Sequence, residues 1–456
     1  MIRLLLFILL PFLFSESAPN NAERFKPIGQ AFKLNWKAEI GSASFRTNVA
    51  FTDESLIIGS NGNSFRDISL NDKGAGVYII NRGNGKIKNA IGTKILGDMD
   101  VNGVLVYDNK IYYGNDNEEF ICSGFDGKIL WRLPASADVE HEPFLINNKG
   151  RKMIVYATEA GEAVAVDPLT GKKIWTYLTP DFNGWKPTDN RMLFKVKAYF
   201  YSGNRFFTRP EIFDVNNDGV DDLIYSDYNL TAVNGKTGKL LWRRELNTDS
   251  FSISIMTVQK QLKKNQFSYV QYNRIGGYDT DYSLVTLDSE GRFLSKKHLF
   301  QNKNYPAIIL NKMISNRDES IFALEDSIYI INNSGNVKAV NYALRYKVKK
   351  SYNQDSTIET RNYRESLVAN KEFVYKGNQR CIFVLSQHDD INWRNGFISI
   401  VSLETGEIIE SFELPSYSEM PPLIKDINND GKQDLLINCM DGKLYCYTLT
   451  NLIFQK

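Results

Sequence analysis

Two nine-residue stretches carry the densest chemistry in the chain. Asp214-Val-Asn216-Asn-Asp218-Gly219-Val220-Asp-Asp222 and Asp426-Ile-Asn428-Asn-Asp430-Gly431-Lys432-Gln-Asp434 share the pattern Asp-x-Asn-x-Asp-Gly-x-x-Asp. Calcium is a hard cation that gathers about six to eight oxygens. Side-chain oxygens at positions one, three and five of a tight loop converge on one point. Glycine at position six permits the turn, the carbonyl of Val220 or Lys432 supplies position seven, and Asp222 or Asp434 closes the shell. A solvated Asn-Asp-Gly turn would explain the glycine, but not the carboxylates at positions one and nine in both loops. Without a cation those carboxylates repel one another. Two structural calcium sites are expected, each pinning a hairpin. Asp98-Met-Asp100-Val-Asn102-Gly103 is a weaker match, with Val106 at the ninth position, and reads as a connecting loop.

Glu140, His141 and Glu142 form a second cluster, within Asp138–Pro143. Two carboxylates around an imidazole could bind a ligand or metal, or exchange protons. The plainer reading is a histidine held by a backbone carbonyl. His388-Asp389-Asp390 is a similar loop cluster, and His298 has no supporting constellation. No Gly-x-Ser-x-Gly elbow, phosphate-binding Gly-Lys loop, His-Glu-x-x-His or paired-cysteine motif occurs, so no catalytic residue is assigned.

A repeat must position these loops. Val164-Ala165-Val166-Asp167-Pro-Leu-Thr170-Gly171-Lys172-Lys-Ile-Trp175 returns as Thr231-Ala232-Val233-Asn234-Gly-Lys-Thr237-Gly238-Lys239-Leu-Leu-Trp242. A third copy is Ile121-Cys122-Ser-Gly-Phe-Asp126-Gly127-Lys128-Ile-Leu-Trp131, and weaker ones centre on Gly85, Gly291, Gly335 and Gly406. Alternating apolar residues make a half-buried strand, the Asp/Asn and glycine residues a tight turn, and the tryptophan a broad surface for a neighbouring sheet. The glycines recur at 42 to 71 residues, a four-stranded unit with insertions. Sustained helical periodicity is missing after the N-terminus, so the class is all-β. Seven glycines mark seven units, and Leu444-Tyr-Cys446-Tyr447 begins an eighth that the C-terminal end cannot complete. Lys33-Leu-Asn-Trp36-Lys supplies the missing strand, which predicts an eight-bladed β-propeller with an N-terminal strand completing the last blade. Seven blades is the alternative.

The Ala-x-Asp-x-x-Thr-Gly-Lys-x-x-Trp pattern resembles the tryptophan-docking repeat of the PQQ-like, or quinoprotein-alcohol-dehydrogenase-like, β-propellers. The resemblance covers the whole chain after its N-terminus, most clearly in units two to four, and implies tryptophans packed between blades. The acidic loops start like an EF-hand loop, but Tyr225 stands where a twelfth-position glutamate would be. They are similar instead to the calcium loops of FG-GAP-type propeller repeats, carried between the first two strands of a blade.

The cysteines read as core residues. Cys122 and Cys446 fall at the repeat position of Ala165 and Ala232, and Cys381 precedes an apolar strand. A two-residue Asp441-Gly442 turn would pair residue 439 with 444 and leave Cys439 diagonal to Cys446, where a bridge stays open.

Arg3 followed by an apolar run from Leu4 to Phe14, with Ser15 and Ser17 at the small-residue positions, reads as a signal peptide over residues 1–17. Residues 18–30 form a lead-in and 31–456 one propeller domain. Localisation is then exported: periplasmic, cell-surface or extracellular. Fifty-five basic and 53 acidic residues give a net charge of +2, which argues for no nucleic-acid partner, and no later segment suits stable membrane insertion. The expected function is a non-catalytic scaffold or binding module for a protein or glycan partner. A polysaccharide-lyase-like propeller is the alternative. A PQQ-dependent dehydrogenase is the least favoured, because PQQ enzymes of the family carry an adjacent cysteine pair and no two cysteines adjoin here. The insertion Pro180–Pro187, with Trp185, could add a binding surface, and Asn229 and Asn332 begin two N-x-S/T sequons.

Overall fold

The computed structural model describes residues 32–449 except 64–73, 95–98, 181, 183–208, 227–228, 246–265, 277–278, 303–313, 316–318, 325–326, 333–335, 343–344, 353–354, 363–364, 376–378 and 388–395. The signal and lead-in assignments, His388, Gly335 and most of Pro180–Pro187 lie outside those residues. Every regular element among the described residues is a strand, and the strands form eight antiparallel blades in a ring. Blades one to seven follow chain order, the fifth with three described strands. The third is Phe144–Asn148, Arg151–Ala157, Glu162–Val166 and Lys173–Leu178; the fourth is Glu211–Phe213, Asp222–Ser226, Asn229–Val233 and Leu240–Glu245. First strands of neighbouring blades touch, as Val49–Phe51 and Val104–Tyr107 do, so they line the inside of the ring.

The eighth blade closes as the sequence predicts. Strand Phe32–Glu39 pairs with Lys443–Leu449, next to Asp434–Cys439 and Leu423–Lys425. Trp36 sits opposite Cys446, the register in which Trp131, Trp175 and Trp242 face Cys122, Ala165 and Ala232. The equivalence of cysteine and alanine in the repeat is therefore spatial.

Each of these tryptophans docks on the next blade's turn. A Cβ added to Gly85, Gly171, Gly238 or Gly291 would stand 2.5 to 2.7 Å from the ring of Trp36, Trp131, Trp175 or Trp242. Those glycines have φ between +70° and +74°, the left-handed region that disfavours any Cβ. The indole N–H of each tryptophan then donates to a turn carbonyl: Trp36 to Arg82, Trp131 to Pro168, Trp175 to Gly235 and Trp242 to Ser289. Blade one has Asn89 where the repeat has tryptophan, and its amide donates to the Phe125 carbonyl at 3.0 Å, keeping the polar half of the contact.

The cysteine register needs correcting. Cys439 pairs with Lys443 and Cys446 with Leu436, because the turn spans three residues rather than two. That one-residue offset puts Cys439 and Cys446 on opposite faces of the sheet, in separate apolar clusters. All four cysteines are buried and free.

One element is added to the predicted ring. Between blades six and seven, Arg345–Tyr352 and Asp355–Asn362 form a two-stranded ribbon that, among the described residues, pairs with no blade.

Candidate functional site

Antiparallel order sorts the loops onto two faces. Hairpins between first and second strands, and turns between third and fourth, share one face. Blade-to-blade connections and the hairpins between second and third strands share the other. Both acidic loops lie on the first, or turn, face: Asp214–Asp221 joins the first two strands of blade four, and Asp426–Gln433 those of blade eight. Glu140, His141 and Glu142 lie on the connection face, between blades two and three.

The acidic loops are near copies. The Asp218 N–H donates to Asp214 Oδ1 and to Asn216 Oδ1, both at 3.0 Å, bringing the oxygens of positions one and three over one amide. Gly219 N–H donates to Asp214 Oδ2, and Val220 N–H to Asp218 Oδ1, both at 2.9 Å. In the other loop Asp430 N–H donates to Asp426 and Asn428, Gly431 N–H to Asp426, and Lys432 N–H to Asp430, at 2.8 to 3.1 Å. Asn217 and Asn429 take φ near +60° and Gly219 and Gly431 φ near +84°, the conformation that aims successive amides inward.

Position nine holds the loop from beneath. Asp222 is fully buried; its Oδ2 accepts from the N–H groups of Val215 and Asn216, and its Oδ1 from Gly235 N–H and the Asn234 amide. Burial outweighs those bonds and pushes its carboxyl up to about 6. Asp434 repeats the Oδ2 half of the arrangement, accepting from the N–H groups of Ile427 and Asn428, and burial raises its carboxyl too. Among the described residues no three His, Cys, Asp or Glu side chains gather tightly enough to chelate an ion alone. A cation in either loop would draw also on Asn216 or Asn428 and on backbone carbonyls, an all-oxygen set that suits a hard divalent ion.

The blade-eight loop is tied to blade one. Arg82, 7% exposed, donates Nε–H to the Ile427 carbonyl at 2.6 Å, and its terminal nitrogens to Asp426 and Thr52 carbonyls at 2.8 Å. Asn429 donates to the Asp53 carbonyl. Nothing in the repeat pattern marks Arg82, so sequence reasoning missed it.

On the connection face, ion pairs staple one blade-to-blade connection to another. Arg46 reaches Glu140 at 2.6 Å, and Arg209 reaches Glu142 at 2.8 Å. Asn102 donates to Glu140 at 2.9 Å and accepts from the Ser44 hydroxyl at 2.7 Å. Asn102 therefore belongs to this connecting network. His141 is buried at 2% exposure, with Nδ1 2.9 Å from the Glu142 carbonyl. The carbonyl accepts, so Nδ1 carries the proton and Nε2 is an acceptor, buried without a partner. Desolvation lowers its basicity to a pKa of about 4. It is neutral across the physiological range, which suits a packed residue better than a proton shuttle.

His298 pairs with Asp281 at 2.7 Å on the periphery. Phe182, from the Pro180–Pro187 insertion, packs against Ala137 and Ala160 on the connection face.

Residues 88–337 match the family described as outer membrane protein assembly factor BamB, a PQQ-type repeat family. The chain belongs to this BamB-like family. No curated protein sequence matches the chain. Among solved structures, the BamB-like fold is shared with the Dos1 propeller at 12% identity and TM-score 0.53, covering 92% of this chain and 96% of that one. The quinohemoprotein alcohol dehydrogenase of Comamonas testosteroni matches at 13% identity and TM-score 0.51, covering 93% and 78%. BamB from Moraxella catarrhalis matches at 13% identity and TM-score 0.49, covering 92% and 100%. At these identities the structural matches establish the propeller and nothing finer.

Proposed function

We propose that this chain is an exported, non-catalytic propeller that binds a protein partner through its connection face, with calcium clamping two hairpins on the opposite face. The observation that carries this reading is the division of labour between the faces. The turn face is built from short turns and the two acidic hairpins. The connection face bears the Arg46–Glu140 and Arg209–Glu142 staples and, on the connection from blade three to blade four, Phe182 packed on Ala137 and Ala160. Loops presented by a rigid scaffold are where recognition concentrates. The family description, an assembly factor for outer membrane proteins, supports a protein over a glycan and an envelope location.

The test is capture from envelope extracts with three forms of the chain: unaltered, Arg46→Glu on the connection face, and Lys172→Glu on the turn face. Specific partners should be lost with Arg46→Glu and kept with Lys172→Glu, with both variants folded by melting. Loss on the turn-face change alone would overturn the assignment of faces. Double-bond formation on uronic-acid polymers, seen by ultraviolet absorbance, would favour the lyase alternative.

A further inference from the structure

The innermost strand of blade seven, Glu365–Tyr375, is interrupted by a bulge. Val368 pairs with Val384 and Glu372 with Ile382, so Ala369, Asn370 and Lys371 stand opposite Phe383 alone. Extra residues of this kind bend a strand and re-aim its side chains. Here they reach the next blade. Asn370 Oδ1 accepts the Ile424 N–H at 2.7 Å, and the Asn370 amide donates back to the Ile424 carbonyl at 3.3 Å. The bulge is thereby clasped to the residue before Lys425.

Lys425 ends the innermost strand of blade eight and holds its ammonium 3.8 Å over the Phe51 ring of blade one. The Arg82 guanidinium lies 5.3 Å from the same ring. Lys425 is half-buried and Lys371 exposed. Burial, and then the like charges of Arg82 and Lys371, works against the Lys425 ammonium. The acids close by in sequence are engaged elsewhere. Glu372 pairs with Arg380 at 2.8 Å, and the Asp426 carboxylate turns into its own loop to accept from the Asp430 and Gly431 N–H groups. Arg82 donates to the carbonyls of Thr52, Asp426 and Ile427. Neither Lys371 nor Lys425 has an ion-pair partner among the described residues.

We propose that the inside of the ring, where blades seven, eight and one meet, binds a small oxyanion of the phosphate class through Lys371 and Lys425. Three positive charges act on one another there, so a dianion relieves more repulsion than a single carboxylate would. Lysine ammoniums are compact point charges on flexible stems, and they can close on a tetrahedral oxyanion from two sides. Lys425 and Phe51 end their strands at the turn face, and Arg82 sits in a turn of that face. The site therefore lies at the opposite end of the ring from the connection face, beyond the partner-binding reading and independent of it. It also requires no calcium.

The test is amine labelling of the full chain, read residue by residue by peptide mass spectrometry. The probes are inorganic phosphate and glycerol phosphate, at constant ionic strength and without added calcium. Either should slow labelling of Lys371 and Lys425, while Lys239, exposed elsewhere on the turn face, labels as before. Protection at lower concentration by the inorganic ion marks free phosphate as the source, and by glycerol phosphate an ester such as a headgroup. Lys371→Gln and Lys425→Gln should each weaken binding of the better probe about tenfold by calorimetry, and Lys239→Gln should not. The labelling uses the unaltered chain, so it decides the matter even where a variant folds poorly. The proposal fails if neither probe slows Lys371 and Lys425 more than Lys239. It also fails if both glutamine variants, folded, bind as tightly as the unaltered chain.

Discussion

The indole N–H of Trp36 donates to the carbonyl of Arg82 at 2.8 Å, and through that bond the first strand of the chain is locked to the first blade. Trp36 belongs to the closing sheet, so the contact spans the seam between the two chain ends. The Arg82 side chain runs the other way, to the carbonyls of Asp426 and Ile427 in the last blade. One residue pair thus holds both sides of the junction.

Trp36→Ala should be among the most damaging single changes in the chain. The ring is 5% exposed and packs on Gly85, so truncation leaves a cavity and an orphaned carbonyl at once, at a cost of about 3–5 kcal/mol. Denaturant unfolding checks it. A loss below about 1 kcal/mol would mean that the seam is held elsewhere. Because the strand Phe32–Glu39 covers the edge of Lys443–Leu449, aggregation should rise with the loss of stability.

Two glycines separate strain from crowding. Gly238 and Gly219 both have positive φ, +70° and +86°, so alanine at either takes on the left-handed penalty of about 1 kcal/mol. A Cβ at Gly238 meets the Trp175 ring at 2.6 Å, whereas at Gly219 nothing lies within 4 Å. Gly238→Ala should therefore cost at least about 2 kcal/mol more than Gly219→Ala, since the indole must leave its seat. Equal losses would show that the tryptophan contact is plastic.

These particulars mark what the sequence could show. The tryptophan, the turn glycine and the small residue opposite are all dictated by one contact, so the repeat revealed the blades, their count and the closing strand. Where another residue meets the same need the signal vanished: Asn89 reaches the Phe125 carbonyl with its amide, a substitution no pattern of apolar residues reveals. The Cys439 register was misjudged because turn length, not strand composition, sets it. The ribbon at Arg345–Asn362 was unread for a related reason, since Arg-Tyr-Lys-Val-Lys-Lys alternates like any surface strand. For the acidic loops the spacing suggested oxygens at positions one, three and five around a cation with position nine closing the shell, but could not show that the position-nine Oδ2 atoms accept from backbone amides beneath the loop.

Calcium should raise the melting temperature of the chain, and a chelator should reverse the rise. At a hundredfold excess over its dissociation constant, one site bound only in the folded state adds about 2.7 kcal/mol. Asp218→Ala and Asp430→Ala should each remove part of that gain and together nearly all of it, because each takes away the fifth-position carboxylate of one loop. Identical melting curves in calcium and chelator would dismiss the clamps, leaving the loops as hydrogen-bonded hairpins.

His141 should make the protein lose stability in mild acid. Its pKa is about 4 in the folded state, against about 6.5 in an unfolded chain. Above pH 6.5 both states are neutral and the residue adds no pH dependence. Between 6.5 and 4 the unfolded chain binds a proton that the folded chain refuses, so stability falls as pH falls, by about 3 kcal/mol in total. Nearby carboxylates titrate in the same window, so the informative quantity is the difference between the unaltered chain and His141→Gln. The variant should be less stable at pH 7, where the packed imidazole is lost, and the gap should narrow steadily toward pH 4.5. The chain has only three histidines, so the His141 ring resonance can be assigned by its disappearance in the variant. It should hold its neutral position down to about pH 5. Parallel stability curves, or a resonance that titrates near 6.5, would mean that the imidazole reaches solvent and that the Glu140–Glu142 segment opens in solution.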